Sequence, residues 1–145
     1  MIVRTLTEKD RDAVLSFLDR DHETNLVMIY DIETFGIENR GHLFQGDYHG
    51  CFLDEELRGV ACLYNLGSLW IHAPGKRAAA ELGRSMAGLK IMPRYLIARK
   101  EQAVPVLAAL RKQGVRPDSL VQQKYMVLSR AVFRPRPGSS ARPAR

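Results

Sequence analysis

Two cysteines, four histidines and a terminal run of arginines are the residue types in this chain that could carry metal, thiol or phosphate chemistry. Cys51 and Cys62 lack the short spacing of a metal knuckle or a dithiol redox motif, so both read as small buried residues. If Asp54-Glu55-Glu56-Leu57 turns a hairpin, Cys51 lies opposite Gly59 or Val60 and Cys62 opposite Tyr48 or His49. That arrangement keeps the thiols apart and gives no disulfide. His22, His42, His49 and His72 are scattered without the i, i+4 spacing of a helical zinc site, and no metal is expected. Arg134, Arg136, Arg142 and Arg145 could neutralise phosphates, but no aromatic residue is interleaved with them to stack on bases, so nucleic acid is not an expected partner.

The net charge of +6 is concentrated in that tail, leaving +2 over residues 1–133. With three prolines among its arginines and almost nothing to bury, segment 134–145 reads as a flexible tail or interdomain linker. The preceding 1–133 reads as one domain. A chain of 145 residues, 46% hydrophobic and 26% charged, has the composition of an ordinary globular domain and not of a disordered or collagenous one. Its longest apolar stretches, Leu26 to Ile32 and Val60 to Tyr64, are far below the roughly 20 residues of a membrane-spanning helix. The start, Met1-Ile2-Val3-Arg4-Thr5, has no signal-peptide pattern. No membrane partner and a cytoplasmic location are the corresponding expectations.

The elements alternate along the chain. Ile2 to Leu6 is a short strand, and Thr7 with Asp10 three residues on makes a capping box for a helix carrying Val14, Phe17 and Leu18. A second helix starts near Thr24 or Asn25, with Met28, Ile32 and Phe35 at helical spacing, and Gly36 stops it. Leu26, Val27, Ile29 and Tyr30 make that helix apolar on nearly every side, as for a helix packed between two layers, a ligand cleft or a dimer face. Tyr48 to Leu53, Leu57 to Tyr64 and Ser68 to Ala73 form an antiparallel meander. The unalternating Val60-Ala61-Cys62-Leu63-Tyr64 places its strand between two covered faces. A third helix runs from about Lys76 with Ala79, Leu82, Met86 and Leu89 inward. Tyr95 to Ala98 is a strand, and Gln102 to Lys112 is a helix that admits Pro105 only in its first turn. Lys124 to Val132 is a last strand. The fold class is α/β, an α+β mixed sheet that is mainly antiparallel, with helices on both faces.

This order of elements, strand, two helices, three-strand meander, helix, strand, helix, strand, resembles the GNAT superfamily of N-acetyltransferases over residues 1–132. The stretches Asn25-Leu26-Val27-Met28-Ile29-Tyr30-Asp31-Ile32-Glu33-Thr34-Phe35-Gly36, Tyr48-His49-Gly50-Cys51-Phe52 and Leu57-Arg58-Gly59-Val60-Ala61 are similar to the N-terminal half of two-domain bacterial members. The resemblance implies acetyl-CoA chemistry, with a loop of the form Gln/Arg-x-x-Gly-x-Gly/Ala wrapping the pyrophosphate at a helix N-terminus. The matching residues are Arg77-Ala78-Ala79-Ala80-Glu81-Leu82. Ala80 stands for the first glycine, Leu82 fills space the phosphates need, and Glu81 repels them. Gly75, Lys76, Arg77, Ala78 and Ala80 are the candidate cofactor contacts.

The resemblance also implies a tyrosine in the fourth helix to protonate the departing thiolate, and that position here is Leu110, which has no proton to give. His72 is the candidate base on the central strands, and Tyr64 and Tyr125 read as core or rim aromatics, with Tyr125 kept as a candidate acid. These departures imply a degenerate, non-catalytic N-terminal half that shapes the substrate cleft of an acetyltransferase domain, either C-terminal to it or separate. Alternatives are a stand-alone acetyl-CoA-dependent enzyme acting on a small amine or aminoacyl group, and a dimerising binding module. Acetyl-CoA is the cofactor if the chain is active, and none is expected otherwise.

Overall fold

The computed structural model describes residues 1–89 and 92–124. Strand Ile2–Thr5 (β1) is followed by a single 3-10 turn, Glu8–Asp10, and helix Arg11–Asp19 (α1). The expected capping box is present. The Thr7 N–H donates to the Asp10 carboxylate at 2.9 Å, and Arg4 clamps both oxygens of that carboxylate at 2.6 and 2.9 Å. Helix His22–Phe35 (α2) begins two residues before the expected Thr24 and ends at Gly36, whose φ of 82° only glycine adopts without strain.

Gly46–Leu53 (β2), Glu56–Tyr64 (β3) and Ser68–His72 (β4) are the meander, and Tyr95–Ile97 (β5) joins β4 in parallel after helix Lys76–Ala87 (α3) crosses over. The five-stranded mixed sheet is ordered β1-β2-β3-β4-β5, with every pairing but the last antiparallel. Cys51 pairs with Gly59 and Cys62 with Tyr48, as the hairpin arithmetic requires, and Arg58 is the extra residue of a bulge. Helix Lys100–Lys112 (α4) follows. It starts two residues earlier than expected, which puts Pro105 in its second turn and leaves one carbonyl without its helical donor. The final strand from Lys124, Tyr125 and the tail 134–145 lie outside the described residues, apart from Lys124 itself.

β3 divides the interior. Val60, Cys62 and Tyr64 point to one face, where Val14, Phe17 and Leu18 of α1 and Met28, Ile29 and Ile32 of α2 cover them. Ala61 and Leu63 point to the other, covered by Ala78, Ala79, Leu82 and Met86 of α3 and Val106 and Leu110 of α4. The unalternating apolar run is therefore explained by two covered faces, and Cys51 and Cys62 belong to opposite cores. One expectation is corrected. Among the described residues α2 is not packed between two layers, because Leu26, Val27 and Tyr30 are exposed on its outer side. Ile29 and Ile32 already saturate the face toward the sheet, and no further element covers the opposite one among the described residues.

Candidate ligand-binding site

The outer side of α2 borders a cleft where a buried acid meets apolar and aromatic side chains. A depression of about 240 Å³ lies between α2 and the β4–β5 edge, lined by Val27 and Asp31 of α2, Tyr64 of β3, Trp70 of β4, Ile97 of β5 and Phe44 of the α2–β2 loop. The loop is held by Gln45. Its amide oxygen accepts from the Arg40 N–H at 3.0 Å, and its amide nitrogen donates to the Phe35 carbonyl at 2.6 Å and the Glu38 carbonyl at 3.1 Å. His42 stacks on Phe35 with ring centroids 4.3 Å apart, and Phe44 follows at the cleft. Loop 37–46, which has no diagnostic chemistry by sequence, thus delivers an aromatic ring to a defined position.

Asp31 is 92% buried by area, being 8% exposed, and its burial pushes the carboxyl pKa up. The Tyr64 hydroxyl hydrogen-bonds the carboxylate and, with the charge of His42, pulls in the opposite direction. Tyr64 also meets Tyr48 hydroxyl to hydroxyl at 3.1 Å. Either hydroxyl can donate in that pair. Burial raises both phenols and the Cys62 thiol far above their ordinary values, so this chain of groups is neutral behind a single carboxylate. Among the described residues Asp31 is in none of the five ion pairs, which join Arg4 to Asp10, His22 to Asp19, Arg58 to Glu56, Arg84 to Glu81 and Arg99 to Asp21.

Sequence reasoning weighed Tyr64 as a core aromatic and passed over Asp31. The available signal was an acid beside Ile32 on the stripe Met28, Ile32, Phe35, where an apolar helix should carry none.

His72 ends β4 and is buried with its ring edge-on to Phe17, centroids 5.4 Å apart. Burial lowers its pKa, and the nearby Asp21 and Arg99 act on it in opposite directions. It lies two residues beyond Trp70 on the same face, near the Arg99–Asp21 ion pair, and it does not line the cleft. Gly75, Lys76 and Arg77 are exposed at the start of α3, with open space where a side chain on Gly75 would stand, whereas Ala78 is buried and Ala80 half-buried. Leu82 is a correction. It does not occupy the mouth of the helix but lies nearly two turns in, fully buried, with its Cδ1 3.0 Å from where a Gly59 Cβ would be. Leu110 is buried in the same core. No group of three or more histidine, cysteine or acidic residues could hold a metal among the described residues. No helix there is long and apolar enough to cross a membrane.

No protein-family model matches the chain, and no curated protein matches it. Among solved structures, it is similar to a possible acetyltransferase from Clostridium difficile 630. The identity is 14%, the TM-score 0.44, and the match covers 88% of this chain and 98% of the other.

Proposed function

We propose that this chain is a GNAT-like domain without catalysis of its own, which shapes the substrate cleft of an acetyl-CoA-dependent acetyltransferase domain. The element order from β1 to α4, with the mixed sheet and a helix crossing over between β4 and β5, supports the fold half of this reading. The observation that carries the other half is at the carboxyl ends of β4 and β5. In open α/β sheets that is where ligands enter, since the strand ends leave backbone groups free. Here pairing stops at Trp70 and Ile97, and the buried Gln102 of α4 places its amide oxygen 3.1 Å from the Ala73 N–H, accepting the hydrogen bond. The free donor is already used by the chain itself.

The residues present therefore do not fit acetyl-CoA as a reactant. The Ala73 donor is occupied, the proton-donor position is the buried Leu110, and the helix residues facing the sheet are the apolar Ala78, Ala79 and Leu82. Exposed Lys76 and Arg77 offer positive charge but no reactive group. The test is calorimetric titration of the 145-residue chain with acetyl-CoA. No binding up to millimolar ligand is expected, and micromolar affinity would return the chain to the stand-alone enzymes.

A further inference from the structure

The Asp31 cleft goes beyond that reading, because nothing in the proposed role requires a carboxylate there. We infer that the cleft binds the methylated ammonium headgroup of a small organic cation, with Asp31 as the counter-charge and Trp70, Tyr64 and Phe44 as the aromatic walls.

Three features converge. First, among the described residues the cleft is lined by one acid, Asp31, a residue only 8% exposed, and by no cationic side chain, and Asp31 is in none of the ion pairs. The Tyr64 hydroxyl and the charge of His42 act on Asp31 without forming an ion pair, and a ligand cation would supply a direct counter-charge. Second, three aromatic rings share the lining with that carboxylate, and cations are attracted to aromatic faces, more so when water is excluded. Third, acceptors are scarce. A primary ammonium carries three N–H donors, but the lining offers the Asp31 carboxylate, the Ser68 hydroxyl and a Tyr64 oxygen already engaged with Tyr48. A quaternary ammonium has no donor to satisfy and loses less on leaving water than a primary ammonium does. Apolar Val27 and Ile97 suit its methyl groups.

At about 240 Å³ the cleft is below the roughly 300–1,000 Å³ of sites that enclose drug-sized ligands, so it suits a headgroup whose remainder projects to solvent.

Trp70 is the single tryptophan of the chain, so its fluorescence reports on the cleft directly. The full chain is titrated at constant ionic strength with choline, with ethanolamine as the primary amine of the same skeleton, and with 3,3-dimethylbutan-1-ol as the uncharged isostere of choline. Saturable quenching by choline is expected with a dissociation constant of about 1 mM, and roughly ten-fold weaker binding of the other two. Asp31→Asn keeps shape and removes charge, and is expected to weaken choline binding roughly ten-fold. Because Asp31 is buried, Phe44→Ala serves as the second variant. Phe44 is 47% exposed, so its loss costs less folding stability than truncation of a fully buried side chain, leaves the chain folded, and weakens choline several-fold. Equal binding of the uncharged isostere would overturn the inference in favour of a merely apolar cleft. Tighter binding of ethanolamine would overturn it in favour of a primary-amine site, and no saturable response to any probe would overturn it outright. None of these outcomes bears on acetyl-CoA, which is absent from the experiment.

Discussion

Replacing Leu82 by alanine separates two roles that one residue cannot play together. If Leu82 stood at a phosphate mouth, shortening it would leave stability almost untouched and open the loop. Its position in the core requires the reverse. The side chain is fully buried, and two of its neighbours, Gly59 and Ala73, have too little side chain to move into the space it would leave. Buried Leu→Ala changes span about 3–5 kcal/mol and rise with the cavity that remains, and a site walled by small residues and backbone collapses poorly, so about 4 kcal/mol is expected. For a chain near 150 residues that corresponds to a fall in melting temperature of roughly 10–15 °C. Urea denaturation followed by far-ultraviolet circular dichroism measures the first quantity, and a thermal scan the second. Lys76→Ala, at the exposed start of the same helix, is the control and should stay within about 0.5 kcal/mol of the parent. A loss below about 1 kcal/mol in Leu82→Ala, or a gain of acetyl-CoA binding, would refute the placement of this side chain and with it the account of α3 as a core helix.

Gly83→Ala sets helix propensity against packing. Alanine is favoured in a helix by up to about 1 kcal/mol, but its Cβ would meet the Val106 backbone of α4 at 3.0 Å, and overpacking against backbone costs about 1–3 kcal/mol, so a net loss is expected in the same urea assay. A more stable variant would mean that α3 and α4 can separate without penalty. Asp10 is the acid-sensitive clasp: Arg4 and the Thr7 N–H hold its pKa down to about 2, so its contribution is full above the unfolded value near 4 and disappears as pH falls toward 2. With Arg4 half-exposed and screened by solvent, Asp10→Asn should cost about 1 kcal/mol at pH 7 and nearly nothing at pH 2, and a pH-independent loss would remove the ion pair as its cause.

Most of the fold was legible because its signals are local. The capping box at Thr7 and Asp10, the glycine stop at Gly36 and the hairpin around Asp54 and Glu55 each depend on a few neighbouring residues, and each is present. The two-faced burial of β3 was legible in one apolar run, since alternation disappears when both faces are covered. Gln102 of α4 is fixed by Ala73, the residue after β4 and 29 positions away in the chain, a contact that no window of sequence contains. The cleft was illegible for the same reason. Asp31, Phe44, Tyr64 and Trp70 come from four separate elements, and only the single misplaced acid in α2 hinted at them. Leu82 carried two readings: its place on the inward stripe of the third helix holds, and the phosphate-mouth role taken from the aligned string does not, because the helix turns that side chain toward the core.

The position of β1 has a consequence for the order of assembly. It precedes the other described strands, yet its only partner among the described residues is β2, about 40 residues later, with both helices of the first face lying between them. Closing that loop is entropically dearer than closing the two-residue turn of the β2–β3 hairpin by on the order of 3 kcal/mol. The meander thus has the kinetic advantage, and β1 joins a sheet whose centre already exists. On a ribosome adding about 5–20 residues per second, Ile2 and Leu6 wait roughly 2–8 s before β2 is even synthesised. Throughout that interval the apolar sides of α1 and α2 have no sheet to cover, so this pair needs protection until β2 to β4 have been made.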